Sequence, residues 1–148
     1  MGWVDPLKGY VVGLDTAPLI YFIEEHPVYA DVVDPFFEAV GRGEIQVVTS
    51  VITFLEVLVL PIRSGNVELA RKYQDILFNT TGLNTVALSP HVAEEAARLR
   101  AFHRIATPDA IQVATAIAVS ASYFLTNDLH LPLLSGLRVL RVDELRTS

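Results

Sequence analysis

Cysteine is absent from the 148 residues, so disulfides, thiolate metal sites and cysteine nucleophiles are excluded. Oxygen and imidazole remain as possible metal ligands. Cationic residues are scarce, with 11 Lys and Arg against 17 Asp and Glu, and the formal charge of −6 runs against a general phosphate-binding surface. Net charge says nothing about distribution, however, and acids gathered in one pocket and neutralised there by cations would weaken that objection. No apolar run approaches about 18 residues, and the first residues, Met1 to Pro6, lack a basic flank followed by an apolar core. A cytoplasmic protein with no membrane span is expected. What is plentiful is apolar character, 51% of the chain, enough for one domain over residues 1–148 that buries about two-thirds of its unfolded surface.

β-branched runs alternate with helix-period segments along the whole length, the pattern of an α/β fold with a mostly parallel sheet. Strands are expected at about Val11 to Asp15, Ile45 to Thr49, Thr85 to Leu88, Tyr123 to Thr126 and Arg138 to Val142. Helices are expected to begin near Pro18, Val28, Val51, Asn66, Pro90 and Pro108. Pro18, Pro90 and Pro108 suit a first helical turn, where a missing N–H costs nothing, and Ser89 and Thr107 then stand as N-caps. The segment from Pro108 to about Ser120 is apolar or small on nearly every face, which predicts a central, packed helix. The segment from Val67 to Gln74 alternates faces and predicts a peripheral one.

Four carboxylates stand in or against these apolar segments. Asp15 ends the run Tyr10 to Leu14, Glu56 interrupts Val51 to Leu60, Asp109 opens Ala110 to Ala114, and Asp128 closes Tyr123 to Asn127. A lone buried carboxylate costs several kcal/mol unless it is paired or binds a metal. In an open parallel sheet, strand ends and the helix starts that follow them share one edge, where ligands bind. All four acids therefore have access to one cleft, and oxygen ligands suit Mg²⁺ or Mn²⁺.

The segments Leu14-Asp15-Thr16, Thr49 to Val57, Thr107-Pro108-Asp109-Ala110 and Thr126-Asn127-Asp128 resemble, in order and over essentially the whole chain, the motifs of PIN-domain ribonucleases. Within that family the chain is most similar to the VapC-type toxins of type II toxin–antitoxin pairs. The most specific piece is Thr-Pro-Asp-Ala followed by Ile111-Gln112-Val113-Ala114-Thr115-Ala116. The resemblance implies a three-layer α/β/α fold with a central parallel sheet and an endoribonuclease whose Mg²⁺ or Mn²⁺ is held by Asp15, Glu56, Asp109 and Asp128. Thr16, Thr53 and Thr126 would give hydroxyl support. It also implies an RNA substrate, a small antitoxin partner and a homodimer. One departure stands out: where family members often carry Ser or Asn two positions after the first Asp, this chain has Ala17, followed by Pro18.

Each acid also has an ordinary structural role. Asp15 and Asp128 suit turns, Asp109 suits the dipole of a first helical turn, and Glu56 suits a solvated face, although its neighbours at 52, 55, 59 and 60 are all apolar. His26, His91, His103 and His130 lack the pairing of helical metal ligands and read as surface or loop residues, with His130 nearest the expected cleft. Arg98, Arg100 and Arg104 read first as a solvated helix face and second as phosphate ligands. Competing functions are a housekeeping RNA-processing nuclease, a non-catalytic interaction module, and an Asp-based phosphoryl-transfer protein. The last is disfavoured because an Asp-x-Asp pattern would need a second acid at position 17.

Overall fold

The computed structural model describes residues 2–134 and 136–146. Short β-branched segments form five strands: β1 Val11–Leu14, β2 Gln46–Ser50, β3 Leu83–Val86, β4 Tyr123–Thr126 and β5 Arg138–Arg141. Their order in the sheet is β3-β2-β1-β4-β5, and every neighbouring pair is parallel. Parallel neighbours need long crossovers, which helix pairs supply. α1 Thr16–Ile23 and α2 Ala30–Gly41 link β1 to β2, α3 Val51–Ser64 and α4 Val67–Asn79 link β2 to β3, and α5 Pro90–Phe102 and α6 Thr107–Ala118 link β3 to β4. The step from β4 to β5 runs through residues 127–137, with no helix among the described ones, and α7 Val142–Leu145 follows β5.

Alternation along the strands divides the interior into two cores. Val12, Leu14 and Leu125 pack with Leu19 and Ile23 of α1, Phe36 of α2, and Tyr73 and Leu77 of α4, while Phe124 packs with Val92 of α5 and Val113 and Ala116 of α6. Helices therefore cover both faces, giving the expected α/β/α layers. Gly13 sets how closely one layer sits. A Cβ at this position would lie 2.6 Å from the Ala116 Cβ and 2.9 Å from a ring carbon of Phe124. Only a glycine in β1 lets α6 rest against the strand, and that contact brings the first turn of α6 toward the end of β1.

Most expected boundaries fall within two residues of those found. β3 begins upstream of the expected Thr85 because Leu83 and Asn84 pair with Val47 and Val48, and Ala87 and Leu88 are left to lead into the Ser89 cap. Ser89 accepts the Val92 N–H as expected. Thr107 does not cap α6. The helix starts one residue earlier than expected, with Ala106 at the cap position, so Thr107 is its first helical residue and its exposed side chain makes no capping bond. α6 is central as expected, buried from Ala110 through Ala116, whereas α4 buries only Tyr73 and Leu77. Among the described residues no helix is long and apolar enough to cross a membrane.

Candidate active site

From β1 the chain moves to β2 on one side, and from β4 it moves to β5 on the other, so β1 and β4 flank the point where the strand order reverses. At such a point the first helices diverge and leave a crevice at the carboxyl edge of the sheet. Asp15 follows the last residue of β1, Asp128 lies two residues beyond β4, Asp109 is in the first turn of α6, and Glu56 is in α3. All four line one open cleft of about 490 Å³, together with Thr16, Ala17, Ile20, Tyr21 and Asn127.

Asp15 forms the floor. Its Oδ1 accepts the Thr16 N–H at 2.8 Å as the N-cap of α1, and its Oδ2 accepts the Thr126 hydroxyl at 2.7 Å. The same Thr126 oxygen accepts the Asp128 N–H at 3.0 Å, so one threonine ties two of the acids. Burial pushes the Asp15 carboxyl above the usual carboxylate range, opposed by these two hydrogen bonds and reinforced by the charges of Glu56 and Asp128.

Glu56 corrects the expectation of a charge enclosed by apolar neighbours. It is exposed, and so are Leu55, Val59 and Leu60 beside it; the apolar residues of α3 that enter the core lie on its other side, as Val57 does. What reaches the protein interior from Glu56 is a chain of hydroxyls. Thr16 donates to Glu56 Oε1 at 2.7 Å, and the Thr16 oxygen lies 3.3 Å from that of buried Thr53. Thr53 in turn is 2.8 Å from the Thr49 hydroxyl.

Gln112 closes this network, and sequence reasoning overlooked it as one member of an apolar run. It is 2% exposed. Its amide nitrogen donates to Thr53 and, at 3.5 Å, to Thr16, while its carbonyl oxygen accepts the Ser50 N–H at 3.3 Å and faces the Thr49 hydroxyl at 3.4 Å. α6 is thereby fastened to β2, α3 and α1 at the level of the cleft. The available signal was an amide three residues after Asp109, on the same face of an otherwise apolar helix.

Asp109 stands on the opposite wall with no hydrogen bond to its carboxylate among the described residues. Burial, followed by the charges of Asp15, Asp128 and Glu56, raises its pKa to about 6. Asp128 holds its own loop by accepting the His130 N–H at 2.9 Å. His130 is exposed, and among the cleft-lining residues there is no histidine. His26 is a loop residue as expected, its Nδ1 accepting the N–H groups of Val28 and Tyr29. Arg98 is matched by Glu94 and Glu95 on its own helix, and Arg100 donates to the Ile105 carbonyl at 3.1 Å. Both serve α5 and its following loop, which leaves the phosphate-ligand alternative without geometric support at these two positions.

Among the described residues no three acidic or imidazole side chains are drawn together into a closed metal cage. Four mutually repelling carboxylates around an open cleft are nevertheless a donor set that suits Mg²⁺ or Mn²⁺. Mg²⁺ in particular keeps several waters and takes one or two carboxylates rather than a dedicated protein cage. Asp109 is raised first by burial and then by the negative charges of Asp15, Asp128 and Glu56, which no cation among the described cleft-lining residues offsets.

The comparisons with known proteins follow this geometry. In overall structure the chain is similar to a chain of VapBC2 from Rickettsia felis, solved bound to a DNA fragment from their promoter, at 20% identity and a TM-score of 0.69 over 88% of this chain and 98% of that one. It is similar to VapC20 from Mycobacterium tuberculosis, described as a sarcin–ricin loop cleaving toxin, at 14% identity and a TM-score of 0.63 over 77% and 86%. It is similar also to a toxin–antitoxin complex from Klebsiella pneumoniae at 21% identity and a TM-score of 0.63 over 86% and 94%. At these identities the likeness is one of fold. A search of curated proteins returned no significant match. The sequence model of the PIN domain matches residues 12–137, nearly the whole described chain, and on that match the chain belongs to the PIN domain family.

Proposed function

We propose that this chain is a divalent-metal-dependent endoribonuclease of one PIN domain, and the toxin of a type II toxin–antitoxin pair. The observation that carries the reading is the convergence of Asp15, Glu56, Asp109 and Asp128 on one cleft at the sheet's switch point, with no histidine or lysine among the described residues lining it to act as an alternative acid or base. Fold relatives that are toxins, one of them a cleaver of the sarcin–ricin loop, support the substrate class and an antitoxin partner.

A bound Mg²⁺ or Mn²⁺ would supply charge neutralisation and an activated water for in-line attack on a phosphodiester. The protein's part is positioning. Asp15 and Glu56 each commit oxygen atoms to threonine or backbone donors, which fixes where the remaining lone pairs point. Asp109 and Asp128 bring the charge that completes the set. Thr16, Thr53 and Thr126 act through those carboxylates rather than on RNA.

A second copy of the chain is the further partner. Leu55, Val59 and Ile62 recur at helical spacing along α3 and are 60%, 44% and 69% exposed, with Leu60 at 66%. A run of large apolar side chains left in water beside Glu56 suits burial in a symmetric dimer, which would set two clefts next to one another.

The test is expression of the wild type and Asp15→Asn in cells, followed by mapping of RNA ends. Wild type alone should arrest growth and leave 5′-phosphate and 3′-hydroxyl ends, and EDTA should stop cleavage in vitro. Ends carrying a 2′,3′-cyclic phosphate, made in excess EDTA, would overturn the metal reading.

A further inference from the structure

Among the described residues the cleft is lined by four acids and no cationic side chain, so those side chains offer a phosphodiester no direct attraction. A bound cation would meet the phosphate, so hold on the base must come from the wall that is not acidic. That wall is α1, where Ala17, Ile20 and Tyr21 follow one another at helical spacing along the cleft. Among the described residues that line the cleft, Tyr21 is the one aromatic side chain.

The Tyr21 ring is braced by two neighbouring rings and at its hydroxyl tip. Its centroid lies 4.9 Å from that of His26 and 4.8 Å from that of Tyr29, and those two rings stack on each other at 4.9 Å. The Tyr21 hydroxyl accepts from Asn127 Nδ2 at 2.9 Å, and Asn127 is itself held by the Asp143 N–H at 2.9 Å. His26 is fixed in turn, since its Nδ1 accepts two backbone N–H groups. A ring held this firmly loses little freedom when something stacks on it. Ala17 keeps the wall low and apolar beside it, at the position where the resemblance leads one to expect a polar side chain.

Resting on the nuclease reading, we infer that Tyr21 is the seat of an unpaired nucleobase next to the scissile phosphate, so that the substrate is taken as a single strand at this point. Base–aromatic stacking is sequence-tolerant because every base has a π-face. Paired bases keep their faces covered by their neighbours, which excludes a regular duplex from the seat.

The probe is a short oligouridylate carrying one 2-aminopurine, bound in Ca²⁺ so that affinity and fluorescence are read without turnover. The wild type should quench the 2-aminopurine. Tyr21→Phe should keep the quench and bind within about twofold, whereas Tyr21→Leu, apolar but unable to stack, should lose the quench and bind about tenfold more weakly. An abasic site in place of 2-aminopurine should weaken the wild type by the same factor and leave Tyr21→Leu unaffected. Unchanged quenching in Tyr21→Leu, equal weakening on base-containing and abasic probes, or no binding by the wild type would each overturn the seat. Quenching by a wild type that cuts no RNA in Mg²⁺ or Mn²⁺ would sink the nuclease reading alone, and cleavage without quenching would sink the seat alone.

Discussion

Asp109 on the far wall of the cleft feels the charge of Asp15 on its floor, yet the two acids are held in opposite ways. Both oxygens of Asp15 receive hydrogen bonds, from the α1 backbone and from Thr126. Asp109 receives none among the described residues, and its pKa stands at about 6. Both are pushed up by burial first, so burial alone does not distinguish them. The difference lies in compensation: donors stabilise the charged form of Asp15, while Asp109 meets only the negative charges of its neighbours. One caps a helix through its side chain, while the other stands in the first turn of α6 with its carboxylate unbonded among the described residues.

Neutral substitutions should separate the two most sharply. Asp15→Asn and Asp109→Asn should each lower RNA cleavage by more than about 100-fold, beyond what loss of an outer partner of a metal site costs. Their stabilities in metal-free buffer should diverge. Asp109→Asn removes repulsion and should raise Tm, whereas Asp15→Asn gives up two hydrogen bonds to a charged acceptor and should lower it or leave it flat. Equal Tm changes would show that the hydrogen bonds at Asp15 are not what distinguishes the two sides.

Thr126→Val removes the donor to Asp15 Oδ2 and the acceptor for the Asp128 N–H in one step. Affinity for Mn²⁺ measured by calorimetry should fall by about 10–100-fold. Gly13→Ala tests the link between the two walls, because the added Cβ must push α6 away from β1. A loss of about 1–3 kcal/mol in denaturant unfolding is expected from the overpacking, with a pKa for Asp109 lower than in the wild type as the acids move apart. Unchanged stability would mean that Ala116 and Phe124 yield without moving the helix.

The smallest effect is the pH slope. A carboxyl whose folded pKa is raised from 3.8 to about 6 contributes stability below pH of about 4 that is lost as pH rises through about 6. Metal-free wild type should therefore lose Tm over that window relative to Asp109→Asn. Millimolar Mg²⁺ or Mn²⁺ near neutral pH should restore it by binding the folded state alone. Parallel curves for the two proteins would place the charge burden elsewhere.

The features read well from sequence were those written in local chemistry. Strand runs of Val and Ile, prolines in first turns, and Ser89 as a cap need only neighbouring residues to be understood. Thr107 misled because the proline fits either of the first two helical positions, and the helix opens at Thr107 with Ala106 at the cap position. Glu56 misled because apolar neighbours on both sides of a residue do not reveal which face of a helix meets the core; on α3 the face bearing Leu55, Val59 and Leu60 is left in water.

By itself the sequence determined the order of strands and helices along the chain and the position of each acid at a strand end or in an early helical turn. Tertiary structure decided the rest, beginning with the strand order that sets β1 beside β4 and so brings residues 15 and 128 to one crevice. It also decided that the Gln112 amide, unremarkable in a list of helix residues, ties Thr16, Thr53 and Ser50 together beneath that crevice. Local chemistry acts over a few residues and can be read in one dimension. A hydrogen bond spanning 96 positions exists only once α6 has settled onto Gly13 and the sheet has closed around both.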